Sequence, residues 1–365
     1  MNEQNLLTVT SSPHLKHKRR TRTIMLDVII ALLPALGWAV WHFGIRSLLL
    51  TLVTVLAAIL SEALYCRLTR QPNTVFDLSA VVTGMLLAFN LPVTIPMWMP
   101  VLGAVFAIVV VKELFGGLGQ NIVNPALAAR VFLFLSFPSY MQPAGGSYSE
   151  AVGKLIHTDA VASATPFAEG VSAADLPAMF FGGINGVLGE VSALCLLIGG
   201  IYLLVRRVIS WQIPVSFLLS VGVVALIASP GEVSPFFFAA YHLLGGGLML
   251  GALFMATDYA TSPVTASGRL IFGCGCGLLT MLFRLFSSNT EGVSFAILIM
   301  NLLVYYLDRF TMPRKFGGKR RGSSPKAAKE AAGGKKQAAL KEKQAAEQTD
   351  RPESVSATGA KGAAG

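Results

Sequence analysis

The stretch DLSAVVTGMLLAFNLP, residues 77–92, is apolar almost throughout, yet it is short for a bilayer and ends in Asn90, Leu91 and Pro92. A helix needs about 20 mainly apolar residues to cross the hydrocarbon. This stretch therefore reads as a broken or re-entrant span. It has an echo in HLLGGGLMLGALFMATDYATSP, residues 242–263, and a second pair joins QNIVNPALAARVFL (120–133) to EGVSFAILIMNLLV (291–304). Five apolar spans separate the copies, so they run in opposite senses, as in a five-plus-five inverted repeat.

Working outward, the 365 residues are 53% hydrophobic and 13% charged, with mean hydropathy +0.62. An ordinary soluble domain carries about 25% charged residues. The expected fold class is an all-α polytopic membrane protein, which sets soluble enzyme folds aside. Apolar runs predict about ten transmembrane helices, near 25–43, 46–66, 77–92, 97–115, 122–138, 184–205, 212–229, 236–256, 270–287 and 292–309. The long polar excursion 139–183 falls after the fifth.

The net charge of +10 is concentrated at the ends. Lys16, Lys18, Arg19, Arg20 and Arg22 precede the first span, and 13 of the 29 Lys and Arg follow residue 312. That distribution suits cytoplasmic retention of both termini and attraction to anionic membrane lipid, rather than nucleic-acid binding. Residues 1–23 read as a basic cytoplasmic N-terminus, and 313–365, with few apolar residues, as a disordered basic tail. Arg67, Arg70, Lys112, Arg206, Arg207 and Arg269 then share the cytoplasmic side, leaving Arg46, Lys154 and Arg284 opposite. Five crossings put the 139–183 loop on the outer face. No cleavable signal peptide is expected before the first span. The four cysteines, Cys66, Cys195, Cys274 and Cys276, show no metal-ligand spacing, and Cys274-Gly-Cys276 reads as helix packing.

Three polar segments are candidate working parts. In KELFGGLGQNIVNP, residues 112–125, Gly116 and Gly117 free the backbone for close approach to a planar or phosphorylated ligand, with Asn121 and Asn124 following. A tight cytoplasmic turn is the plainer alternative. Arg130, about two turns into the next span, calls for a partner or a polar cavity. Asp258, heading Asp-Tyr-Ala-Thr261-Ser262-Pro263, is either a solvated boundary residue or a ligand contact. The third segment, DAVASATP from Asp159, carries Ser163 and Thr165 on the outer loop, where Thr165 before Pro166 also suits a helix cap. No catalytic side chain and no metal site is expected.

Together, SPHLKHKRRTRTIMLDVIIALLPAL from Ser12, the 77–92 and 112–132 blocks, DAVASATP, MATDYATSPVTASGR and EGVSFAILIMN resemble the D subunits of Rnf electron-transport complexes, over residues 12–312. The homologous B subunits of Na+-translocating NADH:quinone reductases share several blocks and typically carry a longer N-terminal extension. The resemblance implies FMN joined by a phosphoester to the final Thr of a Ser-Gly-Ala-Thr type segment, here Ala162-Ser163-Ala164-Thr165, through a flavin transferase. A further flavin within the bundle, noncovalent and such as riboflavin, is also implied; its position is not, and the Gly116 to Asn124 turn, Arg130 and Asp258 are the places to look for it. It further implies electron relay in the bacterial inner membrane with the A, B, C, E and G subunits, especially the covalent-flavin G subunit, coupled to Na+ or H+ movement. A solute channel of urea-channel-like architecture is the alternative that apolar spans alone leave open.

Overall fold

The computed structural model describes residues 20–72, 74–141, 175–182, 187–189, 192–229, 234–286 and 292–312. Asp159, Ser163 and Thr165, and both basic ends beyond these limits, lie outside the described residues. Helix α1 (Thr21–Phe43) meets α2 (Ile45–Leu68) across Gly44 alone, whose φ of 77° turns the chain while its N–H closes α1 on Val40. Then come α3 (Ser79–Phe89), α4 (Trp98–Val105), continued by π-helical turns over Phe106–Glu113, and α5 (Pro125–Ser136). After α6 (Ala193–Val205) and α7 (Gln212–Ile227), α8 (Pro235–Leu244) is followed by α9 (Leu248–Met255), α10 (Ala266–Phe286) and α11 (Gly292–Thr311).

Helices α1, α2, α10 and α11 are long and apolar enough to cross a bilayer, and α8 with α9 makes a fifth span bent by 64°. Their surfaces are inverted relative to a soluble protein. On α2, Leu49, Leu52, Leu56, Leu60 and Leu64 are exposed, whereas Thr51, Thr54, Ala57, Ala58 and Ser61 face inward. Such a stripe in water would be an aggregation surface, but against acyl chains it is the favourable arrangement. The inward hydroxyls of Thr51, Thr54 and Ser61 donate to carbonyls four residues back, so none is left unmet. The chain is thus a multi-pass membrane protein.

The short span read at 77–92 is α3, of 11 residues, and it starts from Leu78 in the left-handed region at φ 67°. Likewise α9 starts from Gly247 at φ 65°, after Gly246 at φ 66°. Breaking a helix frees backbone groups that hydrocarbon cannot solvate. Beyond α3, Gly189 N–H donates to the Phe89 carbonyl (2.7 Å), and Arg46 donates to those of Val93, Thr94 and Ile95 at 2.7, 3.2 and 3.0 Å. Between α8 and α9, Arg284 donates to the carbonyls of His242, Gly245 and Gly246 at 2.6, 2.8 and 3.2 Å.

Glycines set the closest helix contacts. A Cβ on Gly273 would lie 2.8 Å from the Ile213 carbonyl oxygen, and one on Gly277 2.8 Å from that of Phe217, so α7 and α10 run parallel. Gly275, between the cysteines, packs on Met300 of α11, in keeping with a packing role for Cys274-Gly-Cys276. Gly199 of α6 sits on the Ala31 carbonyl of α1, where any Cβ would overlap the oxygen. Gly199→Val should therefore abolish the monodisperse peak in fluorescence-detected size exclusion, an overpacking cost of about 1–3 kcal/mol or more. Gly37→Val, on a surface with nothing within 4 Å of the new Cβ, should leave that peak in place.

Candidate functional site

The glycine turn begins where the π-helical turns end. Gly116 and Gly117, at φ 112° and 89°, adopt backbone that side chains disfavour, and their N–H groups close the helix on the Glu113 and Lys112 carbonyls at 3.0 and 3.1 Å. Past the turn, Asn124 caps α5 through Oδ1, which accepts from Ala126 N and Leu127 N, with Pro125 at the first helical position. Its Nδ2 donates to the Met255 carbonyl (3.1 Å), where α9 ends. Asn301, with its amide nitrogen turned toward the Thr261 and Ile297 carbonyls, accepts from Asn124 N–H at 3.2 Å. One buried asparagine thus ties the start of α5 to the end of α9 and to α11.

These contacts floor an open-mouthed cavity with about 90 Å³ of enclosed space. Val28 of α1, Val82 and Leu86 of α3, and Phe254 of α9 supply apolar walls. Thr83, Asn121, Asn124, Thr257 and Asp258 supply polar atoms. The structure therefore brings together Asn121, Asn124 and Asp258, far apart in sequence. Asp258 accepts from Thr261 Oγ1 (3.3 Å) and is hydrogen-bonded by Asn121. Burial pushes its carboxyl above the usual carboxylate range, against the pull of these donors. Tyr259 at the rim donates its hydroxyl to the Val208 carbonyl.

Gly116 and Gly117 do not line this cavity; they end the helix that delivers Leu118 and Asn121 to it. Arg130 also stands apart. Its Nη1 donates to Asn90 Oδ1 (2.8 Å) and Ser294 Oγ (3.0 Å), tying α3 and α5 to α11. Asn90 in turn donates to the Leu86 carbonyl (2.6 Å) and lies 3.6 Å from Met255 Sδ.

A buried charge network adjoins the cavity through Lys112, one of its lining residues. Lys112 Nζ donates to Glu62 Oε2 (2.8 Å) and Ser79 Oγ (2.7 Å), and lies 3.6 Å from Glu113 Oε1. Ser79 Oγ donates to Asp77 Oδ1 (2.7 Å), and Thr74 Oγ1 donates to Glu62 Oε1. Lys112, Glu62 and Glu113 are 2%, 0% and 4% exposed, so each ion depends on the others. Residue-by-residue reading missed Glu62, although a carboxylate inside an apolar span is itself a signal. Asp27 of α1 is a parallel case, answered by Arg206 (3.1 Å) and the Tyr202 hydroxyl (3.1 Å).

Comparison with known proteins adds to this geometry. The model of the NQR2, RnfD, RnfE family matches residues 8–317. The chain is 48% identical, over 87% of its length and 97% of the relative, to the D subunit of the Na(+)-translocating ferredoxin:NAD(+) oxidoreductase complex of Acetobacterium woodii. It is 38% identical to the D subunit of the proton-translocating ferredoxin:NAD(+) oxidoreductase complex of Clostridium ljungdahlii, over 87% of the chain and 98% of the relative. To the D subunit of the ion-translocating oxidoreductase complex of Stutzerimonas stutzeri it is 40% identical, over 84% and 95%.

The charge network makes a measurable prediction. Lys112→Met strands two buried carboxylates and should cost about 3–5 kcal/mol, read as a lowered thermal midpoint in detergent. Adding Glu62→Gln should recover part of that loss, whereas strictly additive losses would show that the pair is not coupled.

Proposed function

The chain belongs to the NQR2, RnfD, RnfE family, and we propose that it serves as the D-type membrane subunit of an ion-translocating ferredoxin:NAD+ oxidoreductase complex, relaying electrons through FMN held on Thr165. The observation that carries this reading is the 48% identity to a subunit of such a complex, sustained over 97% of that protein. A solute channel of inverted-repeat architecture would use broken helices in the same way, but the relatives' names favour the redox reading. Those names divide on the ion, Na+ in one and the proton in another, so family membership alone does not select it.

A flavin supplies one-electron transfer chemistry when bound, while the protein sets its position and electrostatic surroundings. For the covalent flavin, Ala162-Ser163-Ala164-Thr165 offers the acceptor hydroxyl, with Asp159 ahead of it. A tether of this kind removes the cost of rebinding between turnovers. For a second, noncovalent flavin the cavity's mouth and walls offer matching chemistry: Val82, Leu86 and Phe254 offer apolar contact, and Asn121, Asn124 and Asp258 can hold a polar ring edge. The Lys112 ammonium at the cavity wall is held in place by Glu62 and Ser79, which fixes one hydrogen-bonding charged group beside the cavity.

The reading extends to topology. Ten crossings in a five-plus-five inverted repeat are supported by two matched breaks. Each short helix starts from a left-handed residue, Leu78 or Gly247, and each start is met by a cation from the following long segment, Lys112 on Ser79 and Arg284 on Gly245. In this arrangement both termini are cytoplasmic, the 139–183 loop is periplasmic, and the protein sits in the bacterial inner membrane. Its partners are the A, B, C, E and G subunits, with the covalent-flavin G subunit as the nearest redox neighbour, together with a flavin transferase that loads Thr165.

Chain produced together with its flavin transferase should show a fluorescent band after denaturing electrophoresis, and Thr165→Ala should remove it. A band of undiminished intensity in the variant would move the attachment elsewhere. No band in the parent chain would favour the channel reading.

A further inference from the structure

A second cavity, of about 670 Å³ counting its open mouth, adjoins the first and shares with it Val208, Ile209, Thr257 and Tyr259. Its chemistry differs. Arg207, Arg269, Ser210 and Ser262 line it, and among the described residues no carboxylate does. Arg269 is anchored through Nε on the Pro263 carbonyl (3.0 Å), its one side-chain hydrogen bond among the described residues, so its terminal nitrogens remain as donors. The tandem arginines are divided: Arg206 serves Asp27, while Arg207, at φ 53°, lines the cavity.

Two further features point the same way. Helices α7 and α10 run parallel, so both begin at this end, and their positive dipole ends add to the two guanidinium charges. The first turn of α7 has no side-chain cap. Trp211, next to it, is 57% exposed, as suits an indole at the level of lipid headgroups.

We propose that this cavity binds a phosphate group, carried by an anionic phospholipid headgroup or by a soluble phosphate compound. Planar guanidinium forks match phosphate oxygens in pairs, and the hydroxyls of Ser210 and Ser262 complete a donor-rich wall. A carboxylate-lined site would repel the same group, whereas this one is lined by two guanidinium groups.

The test uses the full chain in neutral detergent, titrated with dioleoyl phosphatidylglycerol, with dioleoyl phosphatidylcholine as the zwitterionic comparison, and separately with inorganic phosphate. Saturable binding of at least one anionic probe is expected. Arg207→Asn, which asparagine's tolerance of left-handed backbone should allow to fold, and Arg269→Gln should each weaken it about tenfold. Arg206→Gln, which removes a neighbouring charge that faces Asp27, should change it by less than about twofold. Phosphatidylglycerol binding that phosphate fails to displace assigns the site to lipid; saturation by phosphate alone assigns it to a soluble ligand. Absence of saturable binding by either anion, or folded Arg207→Asn and Arg269→Gln variants that bind as the parent does, would overturn the proposal.

Discussion

The structure depends on how it satisfies backbone groups freed inside the hydrocarbon. A peptide group left without a partner there costs several kcal/mol, so every interrupted helix must be answered by another group. Arg46 meets three carbonyls beyond α3, Arg284 three more between α8 and α9, and Asn124 the carbonyl of Met255 where α9 ends. These side chains do more than patch defects. Because the interruptions are held open, α3 stays short, the chain past α9 turns inward, and a cavity with both apolar and polar walls forms between them.

The same constraint governs the ionised groups. Glu62 and Lys112 are held in the interior as a hydrogen-bonded set with Ser79, Asp77 and Thr74 close by. The π-helical turns over Phe106–Glu113 are part of that geometry, since the extra residue per turn sets where Lys112 and Glu113 emerge. The charge network, the glycine turn and the cavity are therefore consecutive consequences of one irregular helix end.

Much of this was legible in the sequence because polar residues stand out against an apolar chain. Asn121, Asn124 and Asp258 were visible for that reason, and they share one cavity. The shortness of α3 was legible from length and composition, whereas the break at Gly245 to Gly247 falls inside a run that reads as one span near 236–256. Other features needed three dimensions. Nothing local announces that Arg130 spends its charge on Asn90 and Ser294, or that Gly116 and Gly117 close a helix rather than line the cavity. Glu62 was hidden by the leucines around it, and its partner lies 50 residues away.

The functional account turns on the covalent flavin, since a membrane bundle with broken helices serves channels and redox proteins alike. The most direct measurement is peptide mass spectrometry of the chain produced with its flavin transferase. The account predicts that the peptide containing Thr165 carries the mass of one FMN less one water, with fragmentation placing the addition on that threonine. An unmodified Thr165 peptide from flavin-loaded protein, or the same addition on another residue, would contradict it.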